Sequence, residues 1–285
     1  MKFTFEELKN VESCPWCSSG SYTYLYTSNC EVVRCNNCGM VYAKQVLNEK
    51  GRLKYWSDYC DKVHLADNVL NQKRNTMYEL EYKFITRFLE SNTKEVLDIG
   101  CSKGEFLDVF SKNGWTCFGV EYDKAAATIA KEKYIVWEGD LANLKIEKKF
   151  SLITIRGTIQ YFLEPKKNFA IIADLLADGG LLYISASPNS NSLCFNLYKE
   201  HFSLPVCLTD YYAYNEKMLT DYLAEKNIKL VCDYDFYEQT PYCDLKDDIL
   251  NVANAIQSGN ISTKSPAFYH NLLTLVYKKE KNYLI

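Results

Sequence analysis

The sequence predicts an α/β protein in which a doubly wound, mostly parallel sheet of seven strands follows a small zinc ribbon. From residue 93 onward, apolar strand-like runs alternate with helix-like segments, which is the pattern of a parallel sheet covered by helices. Before residue 45, two CxxC pairs are separated by 17 residues, the spacing of a structural zinc site. We therefore expect a zinc ribbon over residues 1–45 and the sheet domain over residues 93–285.

The two CxxC pairs carry the metal prediction. "CPWC" and "CNNC" supply four thiolates, from Cys14, Cys17, Cys35 and Cys38. Because four thiolates complete a closed tetrahedral shell, we expect a structural rather than a catalytic Zn²⁺. Between the pairs, "SYTYLYT" and "EVVRC" alternate as the strands of a hairpin do. A redox role of the pairs is the alternative, and Cys30 is a rival ligand without a partner at CxxC spacing.

Composition and charge argue against several classes of protein. The net charge of −3 and the lack of a Lys/Arg cluster in residues 1–45 disfavour a nucleic-acid partner, because proteins that bind duplexes or long RNA are usually basic. The start "MKFTFEELKN" lacks the apolar core of a signal peptide. No apolar run approaches the roughly 18 residues that span a bilayer. We therefore expect a cytoplasmic protein without a membrane partner.

The elements follow in order along the chain. Residues 46–92 are predicted to hold a linker and N-terminal helices, since residues 40–68 lack a clear period and apolar residues recur at helical spacing from Val69 to Ser91. The sheet domain supplies seven strands: EVLDIG, CFGVEY, IVWEG, FSLITIRG, GGLLYISAS, KLVCDYDFY and NLLTLVYKKE. Its helices are predicted to start at Gly104, Lys124, Pro165 and Asn215. Ligands of such a sheet bind at the carboxyl ends of its strands.

The stretch "VLDIGCSKGEF", residues 96–106, predicts a ligand loop, because a strand that enters a glycine loop and leaves as a helix usually holds a ligand at the helix N-terminus. It is not a GxGxxG fingerprint, since Ser102 and Glu105 stand where glycines are needed. It is not a P-loop either, because Gly104 is not followed by Lys and Ser/Thr. Asp98 and Glu105 flank the loop, which favours a ligand with a positive centre and a ribose over a pyrophosphate.

Two further segments extend this ligand site. "CFGVEYD" ends its strand in Glu121, and an acid at the end of the second strand binds ribose hydroxyls in nucleotide-binding folds. "VWEGDL" brings Asp140 and Leu141 to the end of the third strand, where they can frame an adenine. Each carboxylate alone is more often a solvated loop residue. Together, in this order, they predict nucleotide-type binding.

These motifs resemble those of the class I S-adenosylmethionine-dependent methyltransferases, over roughly residues 70–285. The resemblance implies a Rossmann-like methyltransferase domain with S-adenosylmethionine as its cofactor. It also implies roles for nine residues: Gly100, Cys101 and Gly104 near the methionine part, Glu121 on the ribose, Tyr122, Asp140 and Leu141 around the adenine, and Asp98 and Arg156 at the methionine end.

The N-terminal part narrows the resemblance. "CPWC…CNNCGMVYAKQVLNE" is similar to the zinc ribbon that precedes a methyltransferase domain in proteins of surface-glycan and modified-sugar pathways. The resemblance implies O-methylation of a sugar, a sugar nucleotide or an attached oxyanion in surface polysaccharide biosynthesis. The sequence departs from this subgroup in two runs, residues 157–161, which lack its acid and its His, and residues 209–215, which lack its His-rich stretch.

The acceptor side is predicted less sharply. We expect a small-molecule acceptor between residues 156–161 and 187–214, with His201, Tyr161 and Asp210 as candidate bases. Histidine titrates near working pH, which favours His201 as a general base. The alternative is that His201 is only a surface or packing residue. The other functional hypotheses are an RNA or protein methyltransferase that uses the ribbon to bind its substrate, and a protein that binds the cofactor without catalysis.

Overall fold

The computed structural model describes residues 2–63, 68–90, 93–259 and 261–281, without the side chains of residues 59–63 and 68–70. The predicted segment 46–92 is therefore described only in part, because residues 64–67 and 91–92 lie outside the description.

The strands are β1 (Leu8–Asn10), β2 (Tyr22–Thr27), β3 (Glu31–Cys35), β4 (Val41–Ala43), β5 (Gln45–Leu47), β6 (Glu95–Ile99), β7 (Thr116–Glu121), β8 (Ile135–Glu138), β9 (Phe150–Arg156), β10 (Leu176–Pro188), β11 (Tyr212–Ala213), β12 (Ile228–Asp233) and β13 (Leu272–Lys279). The α-helices are α1 (Glu49–Val63), α2 (Asn68–Ile85), α3 (Glu105–Lys112), α4 (Lys124–Lys131), α5 (Pro165–Leu175), α6 (Leu193–Tyr198), α7 (Glu216–Ala224) and α8 (Leu245–Ser258). Short 3-10 helices cover Phe5–Glu7, Thr86–Phe88, Leu141–Asn143, Ile159–Tyr161 and Lys199–His201.

The large sheet has seven strands in the order β12-β13-β10-β9-β6-β7-β8. The strands from β10 to β8 run parallel, and β13 is antiparallel to both of its neighbours. In β9 every residue from Phe150 to Ile155 is buried, as expected for a central parallel strand that is covered on both faces. The doubly wound, mostly parallel sheet that the sequence predicts is confirmed.

The predicted helix starts of the sheet domain agree with the structure to within one residue. Gly104 precedes α3 with φ +86°, a left-handed conformation that favours glycine. Pro165 opens α5, in the first turn where proline is well tolerated. Asp123 and Asn215 cap α4 and α7 with side-chain oxygens that accept backbone N–H groups. α3 thus begins after the loop that follows β6, and α4 begins shortly after β7.

A strand from the sheet domain joins the N-terminal ribbon. β2 and β3 form the predicted hairpin, and the ribbon sheet has the order β11-β4-β3-β2. β11 comes from far along the chain, and its Ala213 pairs with Val41 of β4. Trp16, inside the first CxxC pair, packs edge-on against Phe169 and Tyr214 at 5.6 and 6.0 Å between ring centroids. The ribbon and the sheet domain therefore share one hydrophobic core.

The sequence prediction gives no bounds for α1 within residues 46–92, and α6 and α8 are absent from it. α1 lies in the segment without an apolar period, and its Gly51 approaches the ribbon side closely. A Cβ at Gly51 would lie 2.4 Å from the carbonyl oxygen of Glu7. α8 is equally weak in pattern, since the apolar side chains it buries are Val252 and Ala255. Within the described residues, no helix has both the length and the apolar character needed to cross a bilayer.

Candidate active site

A cavity of about 910 Å³ opens at the carboxyl edge of the large sheet, where β6, β7 and β9 end. Helices α1 and α2 form part of its wall, and residues from 235–242 and 267–274 complete it. Parallel strands bring their carboxyl ends to one edge, so residues that are far apart in sequence meet there.

Gly100 and Gly104 shape the ligand loop for different reasons. Gly100 has φ +82°, and a Cβ there would lie 2.2 Å from Thr158 Oγ1, so the loop touches the segment that follows β9. Gly104 has φ +86°, and a Cβ there would lie 2.9 Å from the Tyr134 ring. Gly100 and Cys101 line the cavity, whereas Gly104 is not among the lining residues. Gly104 instead sets the turn into α3.

The Glu121 carboxylate connects the loop to the end of β7. It accepts hydrogen bonds from the backbone N–H groups of Ser102 at 2.8 Å and Asp123 at 2.7 Å. Burial raises the pKa of Glu121, and these backbone hydrogen bonds oppose the rise. Each carboxylate oxygen has two acceptor positions, so Glu121 can still accept hydrogen bonds from the hydroxyls of a ligand.

Asp98 lies in the wall of the cavity and is 2% exposed. Its Oδ1 accepts a hydrogen bond from the Thr154 hydroxyl at 2.7 Å, across the β6–β9 pair. Burial raises the pKa of Asp98 to about 7, although the Thr154 hydrogen bond acts in the opposite direction. Asp98 therefore gains its charge near neutral pH, and a cationic ligand group beside it would favour the ionised form.

The three predicted adenine residues come together on one side of the cavity. Tyr122, Asp140 and Leu141 all line it. Asp140 caps the 3-10 helix Leu141–Asn143, because its Oδ1 accepts a hydrogen bond from the Ala142 N–H at 3.1 Å. Asp140 Oδ2 accepts a second hydrogen bond from Arg52 Nη1 at 2.8 Å. Arg52 is a residue that the sequence analysis did not single out.

Arg156 is held by a buried carboxylate. Its Nε donates to both carboxylate oxygens of Glu81, at 3.0 and 3.2 Å, and its guanidinium lies 4.9 Å from the Tyr78 ring centroid. Burial raises the pKa of Glu81, while the charge of Arg156 acts to lower it. Glu81 is not among the predicted site residues, although an acid four residues after Met77 and three before Phe84 interrupts the apolar face of the predicted helix. That interruption was the available signal.

Tyr161 and Asp210 form a hydrogen-bonded pair, with Tyr161 Oη donating to Asp210 Oδ1 at 2.8 Å. Tyr161 lines the cavity and packs edge-on against Trp56 at 5.0 Å between ring centroids. Burial raises the pKa of Asp210, and the hydrogen bonds from Tyr161 and Thr209 lower it in part. Two of the three predicted base candidates are thus brought together at the wall of the cavity.

His201 stands apart from this pair. It ends the 3-10 helix Lys199–His201 and is not among the residues that line the cavity, although Ser203 and Leu204 are. Tyr211, also expected near the acceptor, is 1% exposed and belongs to the hydrophobic core.

One wall of the cavity is not predicted from the sequence, because the chain around residue 235 has only the pattern of a strand end. That wall is largely aromatic and is lined by Asp235, Phe236, Tyr237, Thr240, Tyr242, Phe268 and Asn271.

Comparisons with known proteins agree with this geometry. A family model described as a methyltransferase domain matches residues 72–233, more than half of the chain. The chain belongs to this methyltransferase family. No curated protein sequence matches the methyltransferase described here.

Solved structures show the same fold at low sequence identity. Magnesium protoporphyrin IX methyltransferase from Synechocystis PCC 6803, solved with bound S-adenosylhomocysteine, has a TM-score of 0.52 and 14% identity, with 81% of this chain and 95% of that chain covered. A methyltransferase from Thermotoga maritima, described as a possible histamine N-methyltransferase, has a TM-score of 0.53 and 16% identity, with coverage of 79% and 100%. An S-adenosylmethionine-dependent methyltransferase from Methanosarcina mazei has a TM-score of 0.51 and 14% identity, with coverage of 70% and 99%.

Family membership supports S-adenosylmethionine as the cofactor of this methyltransferase, and the cavity fits that molecule. It offers a carboxylate for a ribose at Glu121, an acid and an aromatic ring for an adenine at Asp140 and Tyr122, and charged groups for the amino-acid end at Asp98 and Arg156.

The four cysteines of the methyltransferase's ribbon form a compact cluster. Their Sγ atoms all lie within 4.8 Å of one another, and those of the pairs Cys14–Cys38 and Cys17–Cys35 are 3.5 Å apart. Tetrahedral zinc with Zn–S bonds of about 2.3 Å separates its sulfurs by about 3.8 Å, so the cluster is compatible with zinc. Cys30 is outside the cluster, and burial raises the pKa of its thiol to about 12.

Proposed function

We propose that this methyltransferase transfers the methyl group of S-adenosylmethionine to a hydroxyl oxygen of a small molecule, a sugar or sugar nucleotide, during surface polysaccharide biosynthesis. The observation that carries this proposal is the Tyr161–Asp210 pair. It puts a hydroxyl, hydrogen-bonded to a partly buried carboxylate, in the wall of the cavity that the cofactor loop lines.

The cofactor is bound by residues at the strand ends. Glu121 accepts hydrogen bonds from the ribose hydroxyls, and Asp140 accepts a hydrogen bond from the adenine amino group. At the other end Arg156 binds the carboxylate of the methionine part. In the described hydrogen bonds, Arg156 donates to Glu81 only through its Nε. The two terminal nitrogens of Arg156 therefore remain for a bidentate contact with a carboxylate.

Bound S-adenosylmethionine supplies an electrophilic methyl group. The chain's own contribution begins with position, because holding an acceptor oxygen in line and near contact removes much of the entropic barrier. Tyr161 Oη accepts the proton of the acceptor hydroxyl and passes its own proton to Asp210. The raised pKa of Asp210 suits this step, since a more basic carboxylate takes a proton more readily.

The shape of the acceptor side supports a small, ring-shaped acceptor. Its walls carry the rings of Trp56, Tyr161, Phe236, Tyr237 and Tyr242. Aromatic faces pack against apolar ring faces, and tyrosine hydroxyls bind polar substituents. An acceptor that is already an oxyanion is the alternative within this class, and it would not need the Tyr161–Asp210 relay.

The ribbon supports a small-molecule acceptor over an RNA substrate. Arg34 of the ribbon donates to the Ser190 carbonyl oxygen at 2.8 Å and to Asn196 Oδ1 at 2.7 Å. Its charge is thus engaged with the methyltransferase domain, as expected of a ribbon that supports the fold. A ribbon that recognised RNA would instead present free cations.

An acceptor screen with radiolabelled S-adenosylmethionine tests the proposal. The candidates are free sugars, nucleotide sugars, sugar phosphates, total RNA and a protein extract. We expect label in a neutral sugar or nucleotide sugar, recovered as a methyl ether. Label in RNA or protein alone would contradict the proposal, and label in a phosphate or carboxylate ester would move the chemistry to an anionic acceptor.

A further inference from the structure

Arg52 enters the adenine side of the cavity from an element that lies outside the family match. It belongs to α1, whereas the methyltransferase model begins at residue 72. The side chain of Arg52 is only 8% exposed and lines the cavity. Its Nη1 lies 2.8 Å from Asp140 Oδ2, and its guanidinium carbon lies 4.1 Å from the centroid of the Tyr122 ring.

The placement of Arg52 is costly for the fold alone. Its Nε is buried and has no hydrogen-bond partner among the described residues, and an unpaired buried donor destabilises the fold. A buried ion pair also repays little of its desolvation by itself. A charged group whose burial in a ligand cavity destabilises the fold indicates that the group acts on the ligand.

We propose that Arg52 is a positioning residue for the adenine of the cofactor, acting through Asp140 and Tyr122. This inference rests on the proposed cofactor site. The ion pair fixes the Asp140 carboxylate, whose Oδ1 is already held by the Ala142 N–H. One acceptor position on each oxygen remains, so the carboxylate faces the 6-amino group in a fixed orientation.

The Tyr122 contact adds a second constraint. A guanidinium stacked on an aromatic ring is favourable, more so where water is excluded. Arg52 therefore limits the rotation of the ring that the adenine is to meet. Because α1 also packs on the ribbon through Gly51, the segment between the ribbon and the family domain becomes part of the cofactor site.

Calorimetric titration of the full-length, zinc-loaded protein tests this inference with two ligands. One is S-adenosylhomocysteine, and the other is its hypoxanthine analogue, in which a carbonyl oxygen replaces the 6-amino group. We expect Arg52→Met to weaken S-adenosylhomocysteine by about tenfold, as for loss of a hydrogen bond to a charged group. The affinity for the hypoxanthine analogue should fall much less, so the ratio of the two affinities should shift away from adenine. Arg52→Lys should restore part of the preference, since it keeps the charge but not the planar fork.

Lys50→Met is the matched control, because it removes a cation from the same helix at an exposed site that pairs with Glu6. It should leave both affinities unchanged. Equal loss for both ligands in Arg52→Met would make Arg52 a purely structural residue, and tighter binding would mean that it blocks the pocket. Either result overturns the inference. Absence of binding by the wild-type protein would instead contradict the proposed cofactor site.

Discussion

The two sides of the cavity are built in different ways. On the cofactor side, Gly100, Glu121 and Asp140 follow three neighbouring parallel strands, so each residue is placed by the strand directly before it. On the acceptor side, Tyr161 contacts Asp210, and Asp210 lies shortly before β11, which pairs with the ribbon strand β4. The cofactor side is thus made by local connections, and the acceptor side depends on a contact between distant parts of the chain.

The ribbon holds the acceptor side at several further points. Tyr26 of β2 donates to the Val206 carbonyl oxygen at 3.2 Å, and Asn29 Oδ1 accepts the Leu208 N–H at 3.0 Å. The long aromatic segment before α7 is therefore tied to the ribbon. Disturbing the ribbon should affect the acceptor side first.

Loss of zinc gives the largest expected effect, since a structural zinc site contributes roughly 10–16 kcal/mol of binding free energy in isolated fingers. We expect about one zinc per chain, its loss in Cys35→Ser, and a fall in turnover that exceeds the fall in affinity for S-adenosylhomocysteine. Elemental analysis, turnover on the identified acceptor and calorimetry measure the three quantities.

Cys30→Ser is the control for this experiment, because Cys30 is buried close to the same sheet but lies outside the cysteine cluster. It should retain zinc. Undiminished zinc in Cys35→Ser would contradict the assignment of the ligands, and parallel loss of turnover and cofactor affinity would contradict the difference between the two sides.

Loss of the Tyr161–Asp210 proton relay gives the next largest expected effect. Tyr161→Phe and Asp210→Asn should each lower turnover on a hydroxyl acceptor by about 10²–10⁴-fold, the usual contribution of general base catalysis. Affinity for S-adenosylhomocysteine should stay at the wild-type value, since neither side chain lies on the cofactor side. Steady-state kinetics and calorimetry provide the two readouts.

Tyr24→Phe and Asp221→Asn serve as matched controls at exposed positions. Full turnover in both site variants would show that the site works by positioning alone or that the acceptor is already anionic. Loss of turnover in His201→Ala instead, a residue that the structure keeps away from the cavity lining, would return the base to His201.

The same contrast explains how much the sequence could predict. The glycine loop and the acids after β7 and β8 are short patterns within a few residues, and their strand context fixes where they lie. Pairing Tyr161 with Asp210 requires knowing that β11 joins the ribbon, which no local pattern encodes. Arg52 lies on a helix without a clear apolar period, and Glu81 only interrupts the apolar face of its helix, so the place of each at the cavity depends on tertiary packing.

Glu121 gives the third effect, confined to the cofactor side. Glu121→Ala removes the acceptor of the ribose hydroxyls and should weaken S-adenosylhomocysteine by about 1.5–3 kcal/mol, as for hydrogen bonds to a charged group. Turnover at saturating cofactor should fall much less. Glu138→Ala is the control, because Glu138 is the register partner of Glu121 on β8 but pairs with Lys131 outside the cavity. Equal affinities in wild type and Glu121→Ala would move the ribose site elsewhere.

The smallest effect is a pH dependence that separates the two sides. Burial raises the pKa of Asp98 to about 7, so below that pH the carboxyl is protonated and offers no charge to the cationic methionine end of S-adenosylmethionine. Binding then requires release of a proton, and affinity should rise with pH, by up to about tenfold between pH 6 and pH 8. Asp98→Asn should flatten this rise. Turnover at saturating cofactor should keep its own pH dependence in Asp98→Asn, because Asp210 titrates on the acceptor side. If the affinity still rises with pH in Asp98→Asn, another group is responsible for the titration. If the pH dependence of turnover also flattens in Asp98→Asn, the two sides of the cavity share one titrating group.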